Sequence, residues 1–195
     1  MTWITAVMPS HNGRLVLTTV DPLAAPEPGL VREILSGAGF IGAPLPGVAD
    51  TFDVGPELLG LLSFAGCAVV LPSSTGGHPD EPACHVRILG PESGPRLTWG
   101  RNTRGPRCPG CRARLGDWRD RVEDWRERPA LDQRCPSCGW TGPPWRWDWK
   151  QEGGFGRLFV LVEEVFPGEA VPTQRLFDLL TRACDCGWRH FYVQD

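Results

Sequence analysis

The sequence predicts an α+β fold, in which a mixed or antiparallel sheet carries helices on one face and a four-cysteine module is inserted between two strands. Three observations predict it: short strand-like runs alternate with helical ones, the chain ends in a strand, a helix and a strand, and two cysteine pairs fall within residues 96–150. With 195 residues, the chain is long enough for one substantial core and a small insert. We therefore predict that residues 1–95 and 151–195 together form one α+β domain and that residues 96–150 form the inserted module.

The N-terminal segment predicts a hairpin followed by a helix. Residues 3–8 and 14–20 are rich in β-branched and apolar residues, and the Asn12-Gly13 pair between them is a strong signal for a tight turn. After a Pro/Ala loop, apolar residues recur at helical spacing and predict a helix that ends at Gly37 or Gly39. The apolar positions of this helix are Leu30, Val31, Ile34, Leu35 and Ala38.

The middle of the main body predicts a second short helix and two strands. The helix is expected near residues 57–64, with Asp53 as a possible N-cap. The apolar run 67–71 predicts a strand, the Gly/Pro-rich residues 73–82 predict a loop, and residues 85–89 predict another strand.

The C-terminal segment predicts a strand, a helix and a final strand. Residues 157–166 contain a continuous apolar run, which is typical of a strand buried on both faces. Thr173 is positioned as the N-cap of a helix with one apolar stripe, and residues 187–193 return as a strand. The stripe comprises Leu176, Phe177, Leu179, Leu180, Ala183 and Cys184. Such a unit packs its helix on one face of a sheet.

The two cysteine pairs carry the most specific signal in the chain. Cys108 and Cys111 enclose Pro-Gly, and Cys135 and Cys138 enclose Pro-Ser, so each pair can turn two sulfurs toward one ion. In the form Cys-Pro-x-Cys, each half resembles the rubredoxin-like knuckle of zinc ribbons, over about residues 96–150. The resemblance implies one bound Zn²⁺ ion and a small β-hairpin scaffold. Because thiolates fill all four positions, the ion is expected to be structural rather than catalytic.

Two other uses of paired cysteines are weaker here. A dithiol redox site usually has one CxxC in a thioredoxin-like setting, whereas this chain has two and no such setting. Disulfides suit secreted chains, but residues 1–5 lack the basic start and long apolar run of a secretory signal. We therefore expect a reducing, cytoplasmic compartment. The chain's nineteen arginines against one lysine suggest a GC-rich bacterial genome.

The remaining cysteines leave two interpretations open. A second metal site could combine Cys84, His85, Cys184 and Cys186, and Cys67 is a further candidate thiol. The alternative is that these are reduced core thiols, which pack as small hydrophobic groups.

Catalysis is not predicted. The chain has no nucleophile elbow and no phosphate-binding loop, and the glycine-rich residues 153–156 lack the lysine and preceding strand that a phosphate cradle needs. Cys186 and His190 are the least unlikely catalytic pair, but His190 is expected to be a packed histidine on a strand. We therefore expect a protein that is not an enzyme.

Charge divides the chain unevenly. Residues 96–150 contain thirteen basic and seven acidic residues, while the remainder contains seven basic and sixteen acidic residues. A basic module beside an acidic body can steer an anionic partner, or the two parts can attract each other. No apolar run is long enough for a membrane span, so no membrane association is expected.

Arginines and tryptophans beside the cysteines form a candidate binding surface. Its predicted members are Trp99, Arg101, Arg104, Arg107, Arg112, Arg114, Trp145, Trp147 and Trp149. Arginines beside exposed indoles are used by single-strand nucleic-acid binders and also by protein interfaces. In the alternative interpretation the tryptophans pack the module onto the body, and the alternating charges of residues 117–128 neutralise one another on a short exposed helix. We favour a protein partner over nucleic acid; the oligomeric state is left open.

Overall fold

The computed structural model describes residues 13–64, 84–165 and 167–195. The predicted strands at 3–8 and 67–71 and the predicted loop at 73–82 lie outside these residues, as does Asn12 of the predicted turn. Within them the protein has the predicted α+β class, with one large antiparallel sheet, three two-stranded sheets and four α-helices.

The strands are numbered in chain order. They are β1 (Gly13–Thr19), β2 (Ile41–Pro44), β3 (Thr51–Val54), β4 (Leu62–Phe64), β5 (His85–Leu89), β6 (Arg96–Trp99), β7 (Gln133–Arg134), β8 (Thr141–Gly142), β9 (Gly153–Gly156), β10 (Phe159–Glu163), β11 (Ala170–Pro172) and β12 (Trp188–Gln194). The helices are α1 (Pro28–Gly37), α2 (Leu58–Leu61), α3 (Val122–Glu127) and α4 (Gln174–Cys184).

The large sheet has the strand order β12-β1-β10-β5-β3-β2, and every neighbouring pair is antiparallel. The adjacent strands β1 and β10 are its most buried strands, and all five residues of β10 are buried. This confirms the predicted strand buried on both faces. Strand β12 forms one edge of the sheet among the described residues.

Helices α1 and α4 pack on one face of the sheet, as the fold class predicts. Leu15 and Leu17 of β1 point into a core that includes Val31 of α1 and Leu180 of α4. The predicted cap of α4 is present, because the Thr173 hydroxyl accepts a hydrogen bond from the backbone N–H of Leu176. No helix in the described ranges combines the length and the apolar character needed to cross a membrane.

The second helix is shorter than the sequence predicts. Helix α2 ends at Leu61, and the chain continues directly into β4, which pairs with β11 through Ser63 and Val171. Strand pairing therefore overrides the helical pattern of this leucine-rich run. The proposed cap was also wrong: Asp53 lies in β3, and Glu57 occupies the N-cap position without a side-chain hydrogen bond.

Strands β6 and β9, which are distant in the chain, pair as a two-stranded sheet that covers the opposite face of the large sheet. Strand β9 has the sequence Gly-Gly-Phe-Gly, and all four of its residues are buried. A Cβ atom on Gly154 would lie 3.0 Å from the Phe191 ring, and one on Gly156 would lie 2.1 Å from the Thr18 hydroxyl oxygen. The glycines therefore allow one strand backbone to lie directly on another sheet, which is the role of this glycine-rich segment.

Replacing Gly156 with alanine should destabilise the protein. The new methyl group would displace the Thr18 hydroxyl, which donates a buried hydrogen bond of 2.8 Å to the carbonyl of Leu158. We expect Gly156→Ala to lower the free energy of unfolding by about 2 to 4 kcal/mol, from crowding and the lost hydrogen bond. Urea denaturation followed by tryptophan fluorescence measures this.

The matched control is Gly116→Ala. Gly116 is exposed, and a Cβ atom there would meet nothing within 4 Å. Its unfolding free energy should stay within about 0.5 kcal/mol of the wild type. Equal losses in the two variants would show that close packing of β9 is not the cause.

Candidate metal centre

The two cysteine pairs lie in loops of the same local structure. The backbone N–H of Cys108 donates to the carbonyl of Ala113 at 2.8 Å, and the N–H of Cys135 donates to the carbonyl of Trp140 at 2.7 Å. Each bond joins a cysteine to the residue five positions later. Around the second loop, β7 and β8 pair as a short hairpin.

Each loop is closed by a residue in the left-handed conformation. Gly139, which follows the second pair, has φ +76°, and its N–H donates to the carbonyl of Cys135. Arg112 occupies the equivalent position in the first loop with φ 65°, and its N–H donates to the carbonyl of Cys108. This conformation costs a non-glycine residue about 1 kcal/mol. An arginine at this position is no sequence signal for a left-handed backbone.

Arg112 is held by an ion pair with Asp148. Its Nη2 atom lies 2.8 Å from a carboxylate oxygen of Asp148, which also lies 2.8 Å from Nζ of Lys150. Partial burial acts to raise the pKa of Asp148, but hydrogen bonds from Lys150 and Arg112 hold that pKa below its usual value. The backbones of Arg107 and Asp148 also exchange two hydrogen bonds of 2.9 Å. The first loop is thus anchored on both sides to residue 148.

The four cysteine sulfurs lie together between the two loops. All four lie within 4.8 Å of one another, and the Cys108–Cys138 and Cys111–Cys135 sulfur pairs are each separated by 3.7 Å. A tetrahedral ion with thiolate bonds of about 2.3 Å separates its sulfurs by about 3.8 Å. The residues present therefore fit a four-thiolate metal site, and the cluster is compatible with zinc.

Backbone N–H groups support the sulfurs. The N–H of Gly110 donates to the Cys108 sulfur at 3.3 Å. Burial acts to raise the pKa of Cys135, but the backbone N–H groups of Cys138 and Ser137 and the neighbouring thiols lower that pKa to about 6. Such donors favour the thiolate, which is the form that binds metal. The backbone N–H of Trp140 acts to lower the pKa of Cys138, but hydrogen bonds with the other thiols and burial raise that pKa to about 12, so the metal-free thiols do not all ionise together.

A cluster of aromatic rings supports the metal-site loops. Trp118 and Trp125 both meet Trp149 edge to face, at centroid distances of 5.4 and 5.8 Å. Trp149 also meets Phe155 of β9 at 5.7 Å. These residues form an apolar core with the buried Cys108 and Cys135, distinct from the core beneath α1 and α4. The interlocked rings connect the loops to the paired strands β6 and β9.

The predicted tryptophan series does not lie on the surface as a row. Pro144–Arg146 form a 310 turn rather than an extended strand. Trp147 is 3% exposed and Trp149 is 4% exposed, while Trp145 is half-buried and packs on Phe155. The indole N–H of Trp149 donates to the carbonyl of Pro144 at 2.8 Å. Trp147 and Trp149 thus pack the module, which was the alternative interpretation of this series.

The predicted arginines are mainly on the surface. Those exposed are Arg101, Arg104, Arg112 and Arg114, and Arg107 is half-buried. Arg104 lies 3.7 Å from Glu152, and Arg112 pairs with Asp148. Among the described residues, no carboxylate oxygen lies within 4.0 Å of a guanidinium nitrogen of Arg101, Arg107 or Arg114. Trp99 is 38% exposed.

Three of these arginines, Arg101, Arg104 and Arg114, border a cleft of about 860 Å³ beside the aromatic cluster. Its principal polar lining residues are Arg101, Arg104, Arg114, Arg119, Glu152 and Gln194. Arg119 was treated in the sequence as one of the self-neutralising charges of residues 117–128. Three other arginines of that stretch, Arg121, Arg126 and Arg128, do pair with acids three or four residues away. Arg119 instead lies over the Trp118 ring at 4.6 Å.

The other described cysteines do not join a metal cluster. Within the described ranges, the four-cysteine group is the one set of three or more potential ligands found close together. Cys84 is fully buried, and burial raises its pKa to about 12. Cys184 and Cys186 are half-buried against the main core, and burial raises both pKa values. These three cysteines are therefore packed thiols; Cys67 lies outside the described residues.

The candidate catalytic pair is not assembled. No hydrogen bond joins Cys186 to His190 among the described residues. His190 stacks on Phe177 with ring centroids 5.9 Å apart, and burial followed by the charge of Arg189 lowers its pKa. It is thus a packed histidine, as expected.

Comparisons with protein families, with curated proteins and with solved structures found no match to this chain.

Metal content should depend on the four clustered cysteines and not on the others. We expect the purified chain to retain about one metal ion, which a four-thiolate site binds tightly. The double substitution Cys108→Ser and Cys138→Ser should reduce this below about one tenth. Mass spectrometry of the metal after dialysis gives both the identity and the stoichiometry.

Cys184→Ser is the control for metal content. Cys184 is a half-buried thiol outside the cluster, so this variant should keep the wild-type stoichiometry. Loss of metal from this variant, or retention by the double variant, would contradict the assigned ligand set.

Cys84 should be unreactive in the folded protein. Its thiol is fully buried with a pKa of about 12, so almost no thiolate is present at pH 8. With iodoacetamide at that pH, peptide mapping should find Cys84 unmodified until urea unfolds the chain. Because the folded pKa is raised, protonation of Cys84 stabilises the fold below about pH 8.5, and this contribution is lost as the pH approaches 12. Rapid native labelling of Cys84 would contradict its placement.

Proposed function

We propose that the protein is a non-enzymatic binding protein in which one structural zinc ion holds an arginine-rich surface for a protein partner. It would act in the reducing cytoplasm as an adaptor, regulator or inhibitor. The observation that carries the proposal is the four-sulfur cluster, whose 3.7 Å spacings join two loops beside a cleft bordered by four arginines. A zinc-ribbon module is the form of this site that the Cys-Pro-x-Cys pattern favours.

Zinc is the proposed metal because of the donor set. Four thiolates suit zinc, which has no redox chemistry and takes this ligand set in structural sites. A site with all four positions filled by protein has no position for a substrate or for a reactive water. The metal is thus proposed to support shape, and recognition is assigned to the surrounding surface.

The module proposed here consists of residues 96–150 inserted in the main domain. Its separate apolar core supports this division, because Trp118, Trp125 and Trp149 pack with two of the cysteines. The paired strands β6 and β9, through Phe155, extend that core beyond residue 150. The proposed boundary on the C-terminal side is therefore nearer residue 156.

A protein partner is favoured over nucleic acid because the indoles are used internally. Trp147 and Trp149 are buried, so they present no ring faces on which bases could stack. Exposed arginines with a partly exposed Trp99 remain, and these residue types are favoured anchors at protein interfaces. Nucleic acid remains the second candidate, supported by Arg101, Arg107 and Arg114, whose guanidinium groups pair with no described carboxylate.

A pull-down from native host lysate, with and without nuclease, tests the proposal. We expect the tagged wild type to capture a protein that nuclease treatment does not release. Capture should fall at least tenfold with Cys108→Ser/Cys138→Ser, because the arginine loops lose their support. It should fall similarly with Arg101→Gln/Arg104→Gln/Arg107→Gln.

The matched control is Arg175→Gln/Arg182→Gln on the exposed side of α4, far in sequence from the module. It should capture as much partner as the wild type. Release by nuclease would favour the nucleic-acid alternative, and equal capture by all variants would place recognition elsewhere.

A further inference from the structure

The cleft beside the metal-site loops has a fixed backbone. The N–H of Arg101 donates to the carbonyl of Gln194 at 2.7 Å, and the side chain of Asn102 both accepts from the Gln194 N–H and donates to the Tyr192 carbonyl. These bonds attach residues 101–102 to the outer edge of β12. The arginine side chains of this wall therefore project from a rigid base, which reduces the entropy lost on binding a ligand.

The opposite wall depends on the first metal-site loop. Arg114 forms a backbone bridge with Arg107, immediately before Cys108, and the N–H of Leu115 donates to the carbonyl of Pro106 at 2.9 Å. The four-sulfur cluster therefore places Arg114 in the cleft. Arg119 completes this side, because it donates to the carbonyl of Thr103 at 3.0 Å.

The charge of the cleft favours an anionic ligand. Four arginines and one glutamate line it among the described residues, giving a net formal charge of +3. Arg101 and Arg114 have no described carboxylate within 4.0 Å, so their charges are available. Guanidinium groups bind carboxylate and phosphate oxygens through paired N–H donors.

Glu152 already occupies the cleft as a carboxylate ligand from the chain itself. One oxygen accepts a hydrogen bond of 3.1 Å from the backbone N–H of Arg104, and the other lies 3.7 Å from the guanidinium of the same residue. A carboxylate is thus a chemical group that this wall binds. The exposed Gln151 next to it offers an amide that can pair with a peptide backbone.

The described residues that line the cleft give nucleobases no exposed aromatic ring. Trp118 is the one aromatic residue among the described lining residues, and it is 2% exposed beneath the guanidinium of Arg119. The same guanidinium lies 5.8 Å from the centroid of the Trp99 ring. Base stacking, on which single-strand binders rely, is therefore not supplied here.

We propose that this cleft binds a short acidic peptide segment, with glutamate or aspartate carboxylates paired to Arg101, Arg114 and Arg119. This inference rests on the proposed function, because it specifies the chemistry of the protein partner at that surface. The volume of about 860 Å³ lies within the range of about 300–1,000 Å³ typical of ligand sites. Phosphate-rich chains are the competing ligand class.

Fluorescence anisotropy with labelled hexaglutamate tests the assignment on the full, metal-loaded chain at low salt. Hexaglutamine is the neutral control. The oligonucleotide dT7 has six phosphates, which match the six side-chain carboxylates of hexaglutamate. We expect hexaglutamate to bind more tightly than either. Arg101→Gln/Arg114→Gln should weaken its binding at least tenfold.

The matched variant Arg134→Gln/Arg146→Gln removes two exposed charges from the same segment but outside the cleft. It should weaken binding less than threefold. Metal content and circular dichroism establish that both double variants are folded. Absence of hexaglutamate binding, equal binding of hexaglutamine, equal loss in both variants, or binding of dT7 at least as tight would each overturn the assignment.

The failure of this inference differs from failure of the proposed function. A nuclease-resistant partner that is still captured by Arg101→Gln/Arg114→Gln would overturn the cleft as its site and leave protein binding intact. If the wild type captures no protein, the proposed function fails, whatever the peptide titration gives.

Discussion

Four sulfur atoms hold together two loops that are distant in the chain, and the arrangement of the surrounding surface depends on that contact. Cys111 and Cys135 are separated by 24 positions, and the two short loops that carry them bury few apolar groups of their own. The sulfur cluster and the interlocked tryptophans replace the core that such a small region lacks. The bridge between Arg107 and Arg114 transmits this order from the first cysteine loop to the cleft.

The main body supplies the other half of the arrangement. Among the strands that the structure describes, β12 is an edge of the large sheet, and unpaired edges invite uncontrolled association with other strands. The Arg101 N–H donates to the Gln194 carbonyl, the Asn102 side chain donates to the Tyr192 carbonyl, and the Gln151 carbonyl accepts from the Tyr192 N–H. These bonds cover part of that edge. The same loop therefore protects the sheet and positions an arginine wall. The glycines of β9 bring the module close enough for both roles.

The sequence predicted more of the site than of its surroundings. The Cys-Pro-x-Cys spacing predicted the grouping of four sulfurs, and helical periodicity with Thr173 predicted α4 and its cap. Short elements were harder: strand pairing with β11 ended α2 early, and β2 and β3 gave no strand signal. Whether such short strands form depends on their pairing with segments that are distant in the chain, and a single sequence does not show which segments pair. For the same reason, the orientation of Arg119 over Trp118 could not be read from its place among alternating charges.

The two cysteine loops have the same fold but different attachments. Gly139 closes the second loop without strain, whereas Arg112 holds a left-handed backbone and extends its side chain to Asp148. Glycine at 112 would relax the backbone and release that tether. The first loop is therefore tied to residue 148 through both side chain and backbone, whereas Gly139 has no side chain to form an equivalent tether. When the metal leaves, the sulfur contact that joins the loops is lost, and the Arg107–Arg114 bridge loses the support on which the cleft depends, although residue 148 still holds the backbone of the first loop.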